Sequence, residues 1–173
     1  MGLERNIKPY RLMGKELAKQ SRDIVFTLCQ YGEKGVSEWG ESVGGNCWRI
    51  PDDIFDSWGS VLYALDSIRP AARNSRPGAW NDADALVIGA MRPRGPVPHT
   101  AVLSPNECYT HVSLWAISVS PLMIGCRLDE LDGFTRSLLV NDEVIEVDQD
   151  LRRCVRDWSV MDISIVDLDN YVP

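Results

Sequence analysis

The sequence predicts an α/β protein built from parallel β/α units, and three observations carry that expectation. Short apolar runs suited to buried strands alternate with stretches whose apolar residues recur at helical spacing. No internal repeat, low-complexity tract or long linker interrupts them. The 173 residues carry 45% hydrophobic and 25% charged side chains, the make-up of an ordinary folded domain.

Tyr10, Met13 and Leu17 fall on one face of a first helix, with Lys15 and Lys19 outside. Asp23-Ile24-Val25-Phe26-Thr27-Leu28 then reads as a strand buried on both faces. A Gly-rich excursion, Gly32 to Gly45, holds Trp39 and leads to a short strand at Trp48-Arg49-Ile50. Asp56 is a candidate cap for a helix burying Trp58, Val61, Leu62, Leu65 and Ile68. A Pro/Arg-rich turn, Arg69 to Gly78, precedes Trp80-Asn81-Asp82-Ala83-Asp84 and the apolar run Ala85–Ile88. A second Pro/Gly-rich loop spans Met91 to Pro98. Ser104-Pro105-Asn106-Glu107 is a capping box with proline at the first helical position, opening a helix with Tyr109, Val112, Leu114, Trp115 and Ile117 that Pro121 ends. Leu122-Met123-Ile124 reads as a short strand. Arg127 to Asp148 reads as one or two helical segments with Leu131, Phe134, Leu138 and Leu139 inward. Met161, Ile163 and Ile165 alternate with polar residues as a half-exposed strand would, and begin what could be an antiparallel domain.

Composition also excludes partners. A net charge of −7 with scattered basic residues does not make a nucleic-acid groove. No apolar run approaches the roughly 20 residues that span a bilayer, and the N-terminal stretch lacks the apolar block of a signal peptide. The five cysteines form no C-x-x-C pair, and His99 and His111 stand at no ligand spacing, so neither metal nor cofactor is expected. Cys108 and Cys126 read as small buried hydrophobes, while Cys29 and Cys47 are open candidates for a disulfide.

Ligand sites of parallel β/α folds lie at the C-terminal strand ends. There the sequence places Cys29-Gln30-Tyr31, then Arg49 with Asp52 and Asp53, then Asp82 with Asp84, then Gly125 and Arg127, and indoles at Trp39, Trp48 and Trp80. Carboxylates, an arginine and aromatic faces suit a sugar. Each also has a plainer role. Asp52 and Asp53 could favour a helix N-terminus, Asp82 and Asp84 could form an Asx turn, the tryptophans could anchor the core, and Glu33, Glu38 and Glu41 could be a solvated face.

Five segments in order resemble signatures of the α-galactosidase (melibiase) family, glycoside hydrolase family 27. They are Asp23–Gly32, Trp39–Ile54, Pro77–Asp84, Ser113–Gly125 and Asn141–Asp150. The resemblance implies the C-terminal half of a (β/α)8 TIM barrel, about strands 5 to 8, over residues 1–150. Residues 151–173 form an unrecognised tail, the possible start of the family's antiparallel β-domain. A whole barrel takes about 250 residues, more than the chain has. The implied activity is hydrolysis of terminal α-galactosides with retention, the nucleophile Asp lying upstream. The family's Trp-Arg-x-x-x-Asp element falls on Trp48 to Asp53, which makes Asp53 the general acid/base. Arg49, Trp48, Gln30, Asp82 and Asp84 become substrate-binding residues.

Departures stand beside these matches. Gln30 replaces a Glu in the family's Cys-Glu-Trp motif, Ala83 a Pro, Ala85 a Met and Asp148 an Asn, and Leu151-Arg152-Arg153 replaces Pro-Leu-Gly. They leave α-N-acetylgalactosaminides and β-L-arabinopyranosides open as substrates. The cysteine equivalent to Cys29 often bridges, in the family, to a cysteine near the nucleophile. An open half-barrel is expected to pair with itself or with an N-terminal half. The family's location is secreted, periplasmic or lysosomal. The competing expectations are a non-catalytic sugar-binding remnant and an unrelated β/α domain with an acidic metal site.

Overall fold

The computed structural model describes residues 2–91 and 99–150. Helix α1 (Leu3–Leu17) leads to strand β1 (Thr27–Cys29). A compact turn region follows, in which the short helix α2 (Val36–Trp39) lies between 3-10 turns at Glu33–Gly35 and Gly40–Val43. Strand β2 (Cys47–Arg49), helix α3 (Trp58–Ile68) and strand β3 (Trp80–Asp82) form the next unit. A hairpin of β4 (Ala90–Met91) and β5 (His99–Thr100) precedes α4 (Pro105–Ile117), α5 (Gly133–Leu139) and α6 (Asp142–Gln149).

β1, β2 and β3 form a parallel sheet in that order. Thr27, Leu28 and Cys29 lie opposite Cys47, Trp48 and Arg49, which lie opposite Trp80, Asn81 and Asp82. A parallel bridge between Leu86 and Ile124 continues the arrangement past β3. The predicted α/β class and parallel order therefore hold, and the strands are shorter than the apolar runs.

Side-chain chemistry fixes the helix starts. In α4 the Ser104 hydroxyl accepts from the Glu107 N–H while Glu107 accepts from the Ser104 N–H at 2.7 Å, the capping box read from the sequence. Ser57, not Asp56, caps α3, accepting from the Ser60 N–H at 3.3 Å. Asp56 instead takes the Val102 N–H and His99 Nε2, which ties the hairpin to the β2–α3 loop.

Two apolar clusters flank the sheet. The larger joins Val61, Leu65 and Ile68 of α3 to Leu86, Ile88, Val112, Trp115 and Leu138. The smaller joins Ile7, Leu28, Val36, Trp39, Val43, Trp48 and Ala79. Each large side chain fully buried in this way stabilises the fold by roughly 1.5–3 kcal/mol.

Several elements differ from expectation. Only Leu28 of β1 is buried, and Val25 is 76% exposed, because among the described residues β1 is an edge strand with a neighbour on one side alone. The inward face of α1 runs through buried Ile7 and half-buried Tyr10, Gly14 and Leu17, leaving Met13 exposed. At Gly14 a Cβ would lie 1.9 Å from the Val43 carbonyl oxygen, so glycine is what lets the helix settle on that turn. β3 precedes the apolar run, which packs into the core instead. α4 buries Cys108, His111, Val112 and Trp115 and exposes Tyr109. Leu122–Ile124 contributes one bridge, not a strand.

Cys29 and Cys47 are both free thiols. Register sets Cys47 opposite Thr27, whose Oγ1 lies 2.9 Å from its Sγ, and Cys29 opposite Arg49, so these two cysteines do not pair with each other. The strand expected at Met161–Ile165 lies outside the described residues.

Candidate active site

The C-terminal ends of the three strands form one row, Cys29, Arg49 and Asp82. Side chains alternate along a strand, so Arg49 and Asp82 point to one face while Trp48 and Asn81 point to the other. That parity separates chemistry from scaffold.

Arg49 is the centre of the chemical face. One guanidinium nitrogen binds Asp53 Oδ1, and Nη1 lies 2.6 Å from Asp84 Oδ2. All three side chains are mostly shielded, at 14%, 21% and 17% exposure. Burial works against the guanidinium cation, but the Asp84 charge and the surrounding acceptors outweigh it and raise the Arg49 pKa. The ring of Tyr31 lies 5.0 Å from the Arg49 guanidinium carbon, in cation–π range. Tyr31 is 44% exposed and has φ +53°, a conformation that swings its ring back over the strand end.

Asp53 and Asp84 are held from the loops that follow β2 and β3. Asp84 Oδ2 also accepts the Ile54 N–H at 2.8 Å, so one carboxylate anchors both Arg49 and the residue after Asp53. Asp84 has φ +76°, and its N–H donates to Asp82 Oδ1 at 2.8 Å. This i to i+2 bond is an Asx turn, the plainer role the sequence allowed. Asp82 is 4% exposed. Burial first, then the neighbouring Asp84 charge, raises its pKa against the opposing pull of the Asp84 N–H and of Arg49. It therefore shapes the Asp84 loop from beneath.

The predicted site residues thus divide. Arg49, Asp53 and Asp84 come together, and Gln30 follows β1 beside Tyr31 on the same rim. Trp48 does not belong with them. It is 1% exposed on the opposite face, its Nε1–H donating to Asn81 Oδ1 at 2.8 Å, and is a core residue with no surface for a sugar. Trp39 is also core, its indole N–H capping the Lys34 carbonyl. Trp80 opens β3 at the far end of the strand from Asp82. It lines a separate cavity of about 300 Å³ with Val119, Ser120, Pro121, Asp148 and Gln149. Asp52 is exposed and accepts from the Tyr63 hydroxyl, and Glu41 pairs with Arg76. The aromatic residue the site does have, Tyr31, stands in the strand-end row read from the sequence, which gives it no separate role. Its signal was its place after Gln30, where the resembling motif has Trp. Among the described residues no group of three or more His, Cys, Asp or Glu is placed to hold a metal ion, and the Arg49 guanidinium sits between the two nearest carboxylates.

Parallel strands whose C-terminal ends present an arginine clamped between two carboxylates, beside an aromatic ring, make a site suited to polyol recognition and proton transfer. The family model described as alpha galactosidase A, the melibiase family, matches residues 2–150, and the chain belongs to that family. An α-galactosidase of Coffea arabica is 39% identical over 148 residues, covering 84% of this chain and 36% of its own. Alpha-galactosidase 2 of Arabidopsis thaliana is 38% identical over 141 residues, covering 82% and 33%. Among solved structures, the Saccharomyces cerevisiae α-galactosidase with raffinose superposes with TM-score 0.75 at 25% identity over 86% of this chain and 35% of that one. A family 27 β-L-arabinopyranosidase of Geobacillus stearothermophilus gives 0.74 at 30% identity over 82% and 34%. The chain thus spans about a third of the length of the relatives it matches, and its β/α units correspond to part of their barrel.

Proposed function

We propose that this chain supplies the acid/base side of a retaining α-galactosidase, with strands β1 to β3 and the Leu122–Ile124 segment standing for barrel strands 5 to 8. The observation that carries this reading is the Asp53–Arg49–Asp84 clamp at the C-terminal strand ends of a chain that belongs to the family.

In this reading Asp53 donates its proton to the glycosidic oxygen as the leaving group departs. As a carboxylate it then takes a proton from the water that attacks the glycosyl intermediate. Arg49 holds Asp53 in place through one arm of its fork and offers fixed N–H donors to ring hydroxyls. Gln30 and Tyr31 complete the rim, one with an amide and one with an aromatic ring. The nucleophile is assigned to the part of the relatives' length that this chain does not match.

The test is hydrolysis of p-nitrophenyl α-galactoside, with the anomer of the first product read by NMR, for the 173 residues alone and joined to preceding sequence. The reading expects activity and a retained α-anomer in the longer protein only. Full activity from the 173 residues alone would overturn the assignment of the nucleophile elsewhere.

A related specificity has one observation in its favour. Gln30 removes a charge from the motif, and a β-L-arabinopyranosidase is among the similar structures. An arabinopyranoside turned over faster than the galactoside, with the preference reversed by Gln30→Glu, would favour it.

A further inference from the structure

Two buried side chains of α4 reach the loop that carries Asp84. Trp115 Nε1–H donates to the Asp84 carbonyl at 2.8 Å, and the Val87 N–H donates to His111 Nε2 at 3.1 Å. His111 and Trp115 are one helical turn apart, both 0% exposed, with rings edge-to-face at a centroid distance of 4.1 Å. Because Nε2 accepts, the ring proton is on Nδ1, which is buried and has no hydrogen-bond partner among the described residues. An apolar residue of similar size would fill the same volume without that unsatisfied N–H. What histidine alone adds there is an acceptor for Val87, beyond the end of β3.

The segment so held is unusual. Asp84 has a left-handed backbone, which a non-glycine residue keeps only where its surroundings fix it. The Ala83 N–H is taken by Ser120 Oγ and the Asp84 N–H by Asp82, so the turn is fastened on its near side by its own strand and on its far side by α4.

We propose that His111 and Trp115 are positioning residues of the site: together they hold the Asp84–Val87 segment in the turn that aims the Asp84 carboxylate at Arg49. Through Arg49 they set the orientation of Asp53. The consequence for catalysis rests on the reading of Asp53 given above, whereas the positioning itself does not.

The experiment is side-chain hydrogen exchange by ¹⁵N NMR on the whole chain, comparing the buried Arg49 Nε–H with the Trp48 Nε1–H as an internal reference on the opposite face of the sheet. In His111→Leu and Trp115→Phe the Arg49 proton is expected to exchange at least tenfold faster while the Trp48 proton stays within threefold. His111→Gln, which keeps an acceptor, is expected to hold both within threefold. Equal acceleration of the two protons, or none in either, overturns the proposal and leaves the pair as ordinary core. Should His111→Leu fail to fold, Trp115→Phe keeps the ring and decides alone. Absence of galactosidase activity in the longer protein carrying this chain would remove the functional reading and leave the exchange ratio to judge the positioning.

Discussion

Arg49 and Asp84 are joined by a 2.6 Å ion pair between residues 35 positions apart, one at the end of β2 and the other in the turn after β3. That bond, with the second arm of Arg49 on Asp53, joins the end of β2 and the loops after β2 and β3 into one site.

Arg49→Ala leaves two carboxylates facing each other without their cation. Removing one partner of a buried pair costs about 3–5 kcal/mol, and because these side chains keep some solvent contact, about 2–3 kcal/mol is expected by urea denaturation. Arg49→Lys should lose an intermediate amount, since one ammonium cannot span Asp53 and Asp84 as the fork does. A loss below 0.5 kcal/mol for Arg49→Ala, on the order seen for exposed pairs, would show that the clamp is not a structural element.

Burial pushes the His111 pKa down from 6.5 to about 4. A folded-state value below the unfolded one means that the unfolded chain takes the proton first as pH falls. Stability from this group is therefore full above about pH 6.5 and declines toward pH 4, by roughly 2–3 kcal/mol in all. Urea midpoints measured at pH 7.5, 6, 5 and 4.5 should fall steadily, and His111→Gln should flatten that part of the curve. An unchanged slope in the variant would remove His111 as its cause.

Asp148 shows the opposite sign. Half-buried beside Trp80, its carboxyl is raised by burial from 3.8 to about 6. Its charge is disfavoured in the folded protein, so its cost grows as pH rises from 4 through 6. Asp148→Asn, which introduces the residue the resembling family usually has, is expected to stabilise the protein at pH 7.5 by about 1 kcal/mol after allowance for solvent screening. The gain should vanish near pH 4. A variant equally stabilising at both pH values would contradict this account.

What could be read from the sequence was local. The Ser104–Glu107 capping box needs only four neighbouring residues to declare itself, and it stands as expected. The α/β order was legible from alternating apolar runs, but not where the strands stop, because β1 and β3 are three-residue pieces whose ends depend on their partners. Trp48 and Arg49 are adjacent in sequence yet face opposite sides of the sheet, a parity that composition alone could not assign. Tyr31 and Asp84 take positive φ without being glycine; the Asx turn at Asp82 and Asp84 was legible in their spacing, the turn at Tyr31 was not. His111 fell within an apolar helical pattern, and its bond to Val87 exists only in three dimensions. Arg49 and Asp53 were placed at the strand ends by the residue pattern, their roles entered through family resemblance, and the geometry shows Asp84 to be the partner that holds them together.

The central claim, that Asp53 is the proton donor and acceptor, is tested most directly by leaving-group dependence. In the protein carrying this chain with the sequence that precedes it, kcat/KM for Asp53→Ala is compared with wild type on p-nitrophenyl and methyl α-galactosides. A nitrophenolate leaves with little protonation and methoxide cannot, and general acid assistance contributes about 10²–10⁴-fold. The account predicts a loss on the methyl galactoside at least about 10²-fold greater than on the nitrophenyl one; equal losses on the two substrates would contradict it.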